Sequence, residues 1–201
     1  MKERWIATQV SAISLILIII SYIFWDIPLT RYCQTLSPTI IKVAEGITIF
    51  GIATWYLVAS IIFYLFFLFI YKNNRYAARS LFVFLSLSIT GIFNTLMKFI
   101  AGRHRPIDLF NPGYFGFDYF GLVYELTSFP SGHTQTAFTL ATALTILFPR
   151  WGIPVFLMAG AVGISRIILT SHYLSDVIAG AGIGIIGSLI IKYYFDRYIF
   201  N

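Results

Sequence analysis

Six apolar runs, each close to the length that crosses a bilayer, leave this chain little choice of solvent. They cover residues 5–25, 47–71, 79–101, 131–149, 151–170 and 172–195, and a helix needs about 20 apolar residues to traverse the hydrocarbon core. In lipid a chain must satisfy its backbone internally, so runs of this kind imply helices. Composition agrees: 58% of residues are hydrophobic and 11% charged, too little polar surface for a soluble domain. The expected fold is all-α, a polytopic membrane protein whose six-transmembrane-helix bundle forms a single domain over residues 1–201.

The N-terminal stretch MKERWIATQVSAISLILIIISYIFW has a basic start and an apolar run. The run is too long for a signal peptide and no small-residue cleavage site follows, so it reads as an uncleaved first span. Residues 26–46 mix polar and apolar residues around two prolines and predict an interfacial helix after that span. The one long connection is 102–130. Cys33 is the only cysteine, which excludes an internal disulfide and a cysteine-rich metal site.

The net charge of +6 reads as topology. Lys2, Arg4, Lys72, Arg75, Arg79, Arg150, Lys192 and Arg197 fall at one set of helix ends. Arg31, Lys42, Lys98, Arg103, Arg105 and Arg166 fall at the other. The bias predicts both termini on the cytoplasmic side of a cell (inner) membrane. No basic stripe occurs away from helix ends, which argues against a nucleic-acid partner.

Helix parity places several costly residues on one membrane face. Lys98 lies near the end of the third run, GRHRP opens the long loop, and PSGH opens the fourth run. Arg166 lies near the end of the fifth run, and His172 opens the sixth. Ionisable groups at such depth imply pairing or a polar cavity, so Lys98, Arg105, His133, Arg166, His172 and Asp176 are expected to converge. Three cations beside one carboxylate suit a phosphate dianion. Ser131 and Gly132 put free backbone N–H groups and the positive end of a helix dipole at the same place.

The two histidines add reactivity. His172 and Asp176 are spaced i, i+4, so Asp176 can accept from one ring nitrogen and leave the other free to attack phosphorus. His133 is then the general acid for the leaving oxygen. No carboxylate cluster is available for Mg²⁺, so neither metal nor cofactor is expected, and transfer through a phosphohistidine fits better.

Three blocks can be quoted together: KFIAGRHRP (Lys98–Pro106), PSGH (Pro130–His133) and SRIILTSHYLSD (Ser165–Asp176). They match K-x6-R-P, P-S-G-H and S-R-x5-H-x3-D, and the chain resembles the type 2 phosphatidic acid phosphatase (PAP2) superfamily, in its bacterial membrane lipid phosphatase branch. The resemblance implies that His172 is the nucleophile, Asp176 its partner and His133 the acid/base. It implies that Lys98, Arg105, Ser131, Gly132 and Arg166 bind phosphate. The expected activity is hydrolysis of a lipid phosphomonoester or diphosphate at the extracytoplasmic face. Isoprenyl diphosphate, phosphatidylglycerophosphate, phosphatidic acid and lipid A phosphate are the candidate substrates. A phosphotransferase of the same superfamily and a non-catalytic phosphate-binding or transport protein are the alternatives.

Other residues carry weaker expectations. His104 reads as a loop histidine, and Asp108, Asp118 and Glu125 as solvated charges. The aromatics of 110–129 read as an interfacial belt or a mouth for lipid chains. Gly180, Gly184 and Ser188 recur every four residues after Asp176, a spacing that permits close helix packing.

Overall fold

The computed structural model describes residues 2–110, 113–121 and 123–199, and the side chains of 5–196 within them. The side chains of Lys2, Arg4 and Arg197, read above as inner-end cations, therefore lie outside the described residues. Among the described residues, five helical stretches are long and apolar enough to cross a membrane: Trp5–Cys33, Pro38–Ile70, Asn74–Ala101, Pro149–Ile168 and Leu174–Asp196. The fourth apolar run forms a shorter helix of 16 residues, Gly132–Leu147.

The first rod is α1 (Lys2–Ile20), a π-helical turn at Ser21–Trp25 and α2 (Asp26–Cys33). Pro28 cannot donate to the preceding turn and its ring crowds the carbonyl there. The wider π turn lies just before it, where such an interruption is absorbed. Residues 26–46 do not form one interfacial helix. They are divided between α2, which continues the first rod, and α3 (Pro38–Thr48), which leads through a 3-10 turn at Ile49–Gly51 into α4 (Ala53–Leu65). The chain breaks at residues 34–37, just before Pro38, which opens α3 at the position where a missing N–H costs nothing. Asp26 is fully buried, and its carboxylate ties the start of α2 into the bundle.

Helix α5 (Asn74–Ala101) ends at Gly102, whose left-handed φ of 53° turns the chain into the long loop. A Cβ at Gly102 would also meet the Tyr119 backbone at 2.7 Å. The loop contains a short turn of helix, α6 (Pro106–Phe110), and a 3-10 turn at Tyr124–Leu126, and leads into α7 (Gly132–Leu147). Helices α8 (Gly152–Ile168) and α9 (Leu174–Ile199) follow.

Helix α7 is the hub, packed against α5, α8 and α9. Its buried side chains are alanines, threonines and Gln135, small or hydrogen-bonded, so neighbours approach closely. Gln135 Nε2 donates to Thr90 Oγ1 at 2.7 Å and to Thr139 Oγ1 at 3.0 Å, tying α7 to α5. Against α9 the glycines decide the distance. A Cβ at Gly180 would sit 2.5 Å from the Ser131 carbonyl oxygen, and one at Gly184 2.7 Å from backbone atoms of Gln135 and Thr139. Ser188 Oγ donates to the Gly184 carbonyl at 2.8 Å, consistent with its place on the same face.

Candidate active site

The PSGH block is held from both sides. Ser131 is fully buried and precedes the first turn of α7 in extended conformation. Its N–H donates to the Asp176 carbonyl at 3.0 Å, so the donors left at this helix start are those that follow it. Gly132 is not required by packing. A Cβ there would lie 3.7 Å from Asn94 Nδ2 and 3.9 Å from Lys98 Cε, ordinary contact distances. What glycine provides is close access to the backbone on the side facing Lys98. His133 follows, and Gly51 lies against it so closely that a Cβ there would be 2.7 Å from His133 Cβ.

The three cations reach the same place from three segments. The charges of Arg105, Asp176 and Arg166 are all felt at Lys98. Lys98 Nζ donates to the Thr127 carbonyl at 2.5 Å. Arg105 donates through Nε to the Tyr124 carbonyl at 2.9 Å and through Nη1 to the Ser171 carbonyl at 3.1 Å, with its guanidinium 3.9 Å from the Tyr124 ring centroid. Arg166 Nη1 donates to Thr48 Oγ1 at 2.8 Å. Among the described residues no carboxylate is ion-paired with Lys98, Arg105 or Arg166. Three cations whose charges all reach His133 at this helix start would favour an anion there.

His172 lies in the turn before α9, not within the helix, and is buried. Its Nδ1 is 2.8 Å from the Ser128 carbonyl. A carbonyl only accepts, so Nδ1 carries the proton and Nε2 keeps its lone pair. Burial pushes this imidazole down to about 3, against the opposing pull of Asp176, so it is neutral near pH 7. Asp176 Oδ2 is 3.7 Å from Nδ1, beyond hydrogen-bond reach. The expected direct Asp176–His172 hydrogen bond is therefore replaced by one to Ser128, because the histidine precedes the helix and its ring turns toward the loop. Asp176 instead accepts from Ser128 Oγ at 2.6 Å and from the Tyr173 N–H at 2.9 Å.

The sequence reading missed Arg103. It is fully buried, and its guanidinium pairs with Asp176 through Nη1 and with Asp26 Oδ2 through Nη2 at 2.7 Å. Burial disfavours the charge of Arg103, but the two carboxylates raise its pKa overall. The available signal was Asp26 itself, an acidic residue attached to an otherwise apolar span.

The aromatic loop divides into two sets. Phe115 and Phe117 turn inward and, with Tyr22 and Tyr173, place four ring centroids 4.5–5.5 Å from Arg103 Cζ. Tyr114, Tyr119, Phe120 and Tyr124 are exposed. His104 is a clasp: Nδ1 is 2.8 Å from Asp108 and Nε2 2.9 Å from Asp118. Asp108 and Asp118 are thus hydrogen-bonding partners of His104 and not merely solvated, while Glu125 is exposed.

A cleft of about 960 Å³ opens beside Lys98, Gly132 and His133. Its remaining wall is mainly apolar and includes Ile52, Leu57, Leu87, Ile92 and Phe99. Asn94 also lines it, with a buried Oδ1 that has no hydrogen-bond partner among the described residues.

The geometry has counterparts among known proteins. The PAP2 superfamily pattern matches residues 79–200. A lipid A 1-phosphatase of Rhizobium johnstonii is 32% identical over 193 residues, covering 90% of this chain and 77% of the relative. One of Rhizobium etli is 33% identical over 155 residues, covering 71% and 66%. Among solved structures, the transmembrane PAP2 type phosphatidylglycerolphosphate phosphatase of Bacillus subtilis superposes with a TM-score of 0.70 at 23% identity, covering 95% of this chain and 96% of that one. Aquifex aeolicus LpxE superposes at 0.64 with 26% identity, covering 84% and 95%. The chain belongs to the PAP2 superfamily, and its bundle is the fold of the membrane members.

Proposed function

We propose that this protein is a metal-independent membrane lipid phosphatase that works through a phosphohistidine on His172. The observation that carries this reading is the state of His172. Its Nδ1–H is held by the Ser128 carbonyl, so the lone pair on Nε2 is available in a site where the charges of Lys98 and Arg105 reach the ring. In the first step Nε2 attacks phosphorus and the bond from phosphorus to the leaving oxygen breaks. Lys98, Arg105 and Arg166 hold the phosphoryl oxygens, with Ser131 and the backbone at Gly132, and His133 gives a proton to the leaving oxygen. In the second step His133 takes a proton from water, whose oxygen displaces the imidazole and releases inorganic phosphate.

The substrate is an amphiphile. The cleft that begins at Lys98, Gly132 and His133 continues along apolar side chains, which suits a phosphate joined to a lipid. The Rhizobium relatives are lipid A 1-phosphatases, which favours a lipid A phosphate within the candidate set. Helix α7 completes six crossings, the site faces the extracytoplasmic side and both termini are cytoplasmic. The cation bias between the helix ends supports that orientation.

The test is rapid acid-free quenching with ³²P-labelled lipid phosphate. Label bound to protein, stable to base and labile to acid, is expected in the wild type and absent in His172→Ala. Steady phosphate release with no trapped label would overturn the covalent route.

A further inference from the structure

We infer that Arg103 and Asp26 are positioning residues for the nucleophile, joined with Asp176 in a buried Asp–Arg–Asp relay; this rests on the phosphatase reading above. Arg103 is not another phosphate ligand. Its guanidinium is enclosed by four aromatic faces and held by Asp26, Asp176 and Ser175 Oγ, the last at 2.7 Å. A side chain bound on all these sides cannot swing into the cavity that Lys98, Arg105 and Arg166 line. Its action on the reaction runs through Asp176 and Ser128.

Two routes connect Arg103 to Ser128. The side chain of Arg103 pairs with Asp176, which accepts from Ser128 Oγ. The backbone carbonyl of Arg103 accepts from the Ser128 N–H at 3.1 Å, and the Ser128 carbonyl in turn holds His172 Nδ1. Ser128 is therefore gripped through main chain and hydroxyl by two partners that Arg103 connects. The direction of the free lone pair on Nε2 follows from where Ser128 sits.

Asp26 completes the relay. It comes from the first rod, 77 residues before Arg103. Besides Arg103 it binds Ser175: Oδ1 accepts from the Ser175 N–H at 2.9 Å and Oδ2 from its hydroxyl. Those donors belong to the first turn of α9, so Asp26 caps, from another helix, the element that carries Asp176. All three charged side chains have 0% exposure. An ionised group at such depth is costly unless it is paired. The formal charge of the set is −1. Without Arg103 it becomes −2, two carboxylates deprived of their common partner. Without both Arg103 and the Asp26 charge it returns to −1.

That charge arithmetic separates positioning from simple packing. The experiment compares wild type, Arg103→Met, Asp26→Asn and the double variant Asp26→Asn/Arg103→Met in purified full-length protein. kcat and KM are measured with the best lipid phosphate, and Tm is measured alongside. Arg103→Met is expected to lower kcat at least about 100-fold with KM changed less than about threefold, because Asp176 loses the partner that fixes it and Ser128 while the phosphate cations remain. The double variant is expected to regain at least about tenfold in kcat over Arg103→Met and to recover part of its lost Tm, since removing a buried pair as a unit costs less than removing one partner. A kcat within about threefold of wild type in Arg103→Met overturns the inference. So do losses that simply add in the double variant, or a double variant that does not fold. If the wild type releases no phosphate from any lipid, the phosphatase reading fails separately. The relay is then judged on Tm alone, where a double variant no more stable than Arg103→Met overturns it.

Discussion

Gly180→Ala tests how tightly the two halves of the site are clamped. The added methyl would lie 2.5 Å from the Ser131 carbonyl oxygen and 3.2 Å from the Gln135 nitrogen. Both are backbone atoms, one of the residue before α7 and one of its first turn, so no side chain can rotate away. Reaching ordinary contact at about 3.4 Å requires α9 to retreat by about 0.9 Å. That movement carries His172 and Asp176 away from Ser131, Gly132 and His133. A misplacement of about 1 Å costs on the order of 100-fold in rate, and overpacking of this kind costs about 1–3 kcal/mol of stability. Gly182→Ala is the internal control. Its methyl would meet the Ser14 side chain at 3.0 Å, a group that can turn aside, on the face of α9 toward α1. Initial rates of phosphate release, normalised to folded protein, give the comparison. Gly180→Ala is expected to lose about 100-fold in kcat and Gly182→Ala less than about threefold. Equal effects of the two substitutions, or a near-normal Gly180→Ala, would refute the clamp.

Three further outcomes follow from named contacts. Gly51→Ala adds a methyl 2.7 Å from His133 Cβ and is expected to lower kcat more than KM, read by steady-state kinetics. Arg166→Lys keeps the charge but loses the planar fork, and kcat/KM is expected to fall at least about tenfold, while unchanged kcat/KM would remove Arg166 from phosphate binding. The third concerns pH. Burial opposes charging of His104, but its hydrogen bonds and charge contacts with Asp108 and Asp118 outweigh it, and its pKa is raised. A raised folded-state value means the clasp contributes fully below the unfolded value of about 6.5 and fades as pH rises through the folded one. The Tm gap between wild type and His104→Gln is therefore expected to narrow from pH 6 to pH 9, and a constant gap would contradict a charged clasp.

What could be read from the chain alone was the chemistry with fixed spacing. Lys98, Arg105, Ser131, Gly132, His133, Arg166, His172 and Asp176 come from three short blocks whose order and apolar context predict that they converge. The four-residue recurrence of Gly180, Gly184 and Ser188 likewise indicated close helix packing, and the fold supplies α7 as the partner. Periodicity carried less about the first rod, because a run of apolar residues does not say where a helix bends, and Pro28 was absorbed by a π turn and did not end the helix. Arg103 was illegible for a different reason. Beside Arg105 in a basic loop it looks like one more surface cation, and its partners Asp26 and Asp176 lie 77 and 73 residues away. Only the fold brings two acids to it. The aromatic loop shows the same limit: nothing in its composition separates Phe115 and Phe117, which cage Arg103, from Tyr119 and Phe120, which face outward.

The most direct measurement is phosphate release by detergent-purified protein with EDTA present, wild type against His172→Ala, over lipid A, phosphatidylglycerophosphate, phosphatidic acid and isoprenyl diphosphates. The account predicts release by the wild type that ignores EDTA and is abolished by His172→Ala, fastest with a lipid A phosphate. Release that survives His172→Ala, or that EDTA stops, would contradict a metal-free phosphohistidine phosphatase.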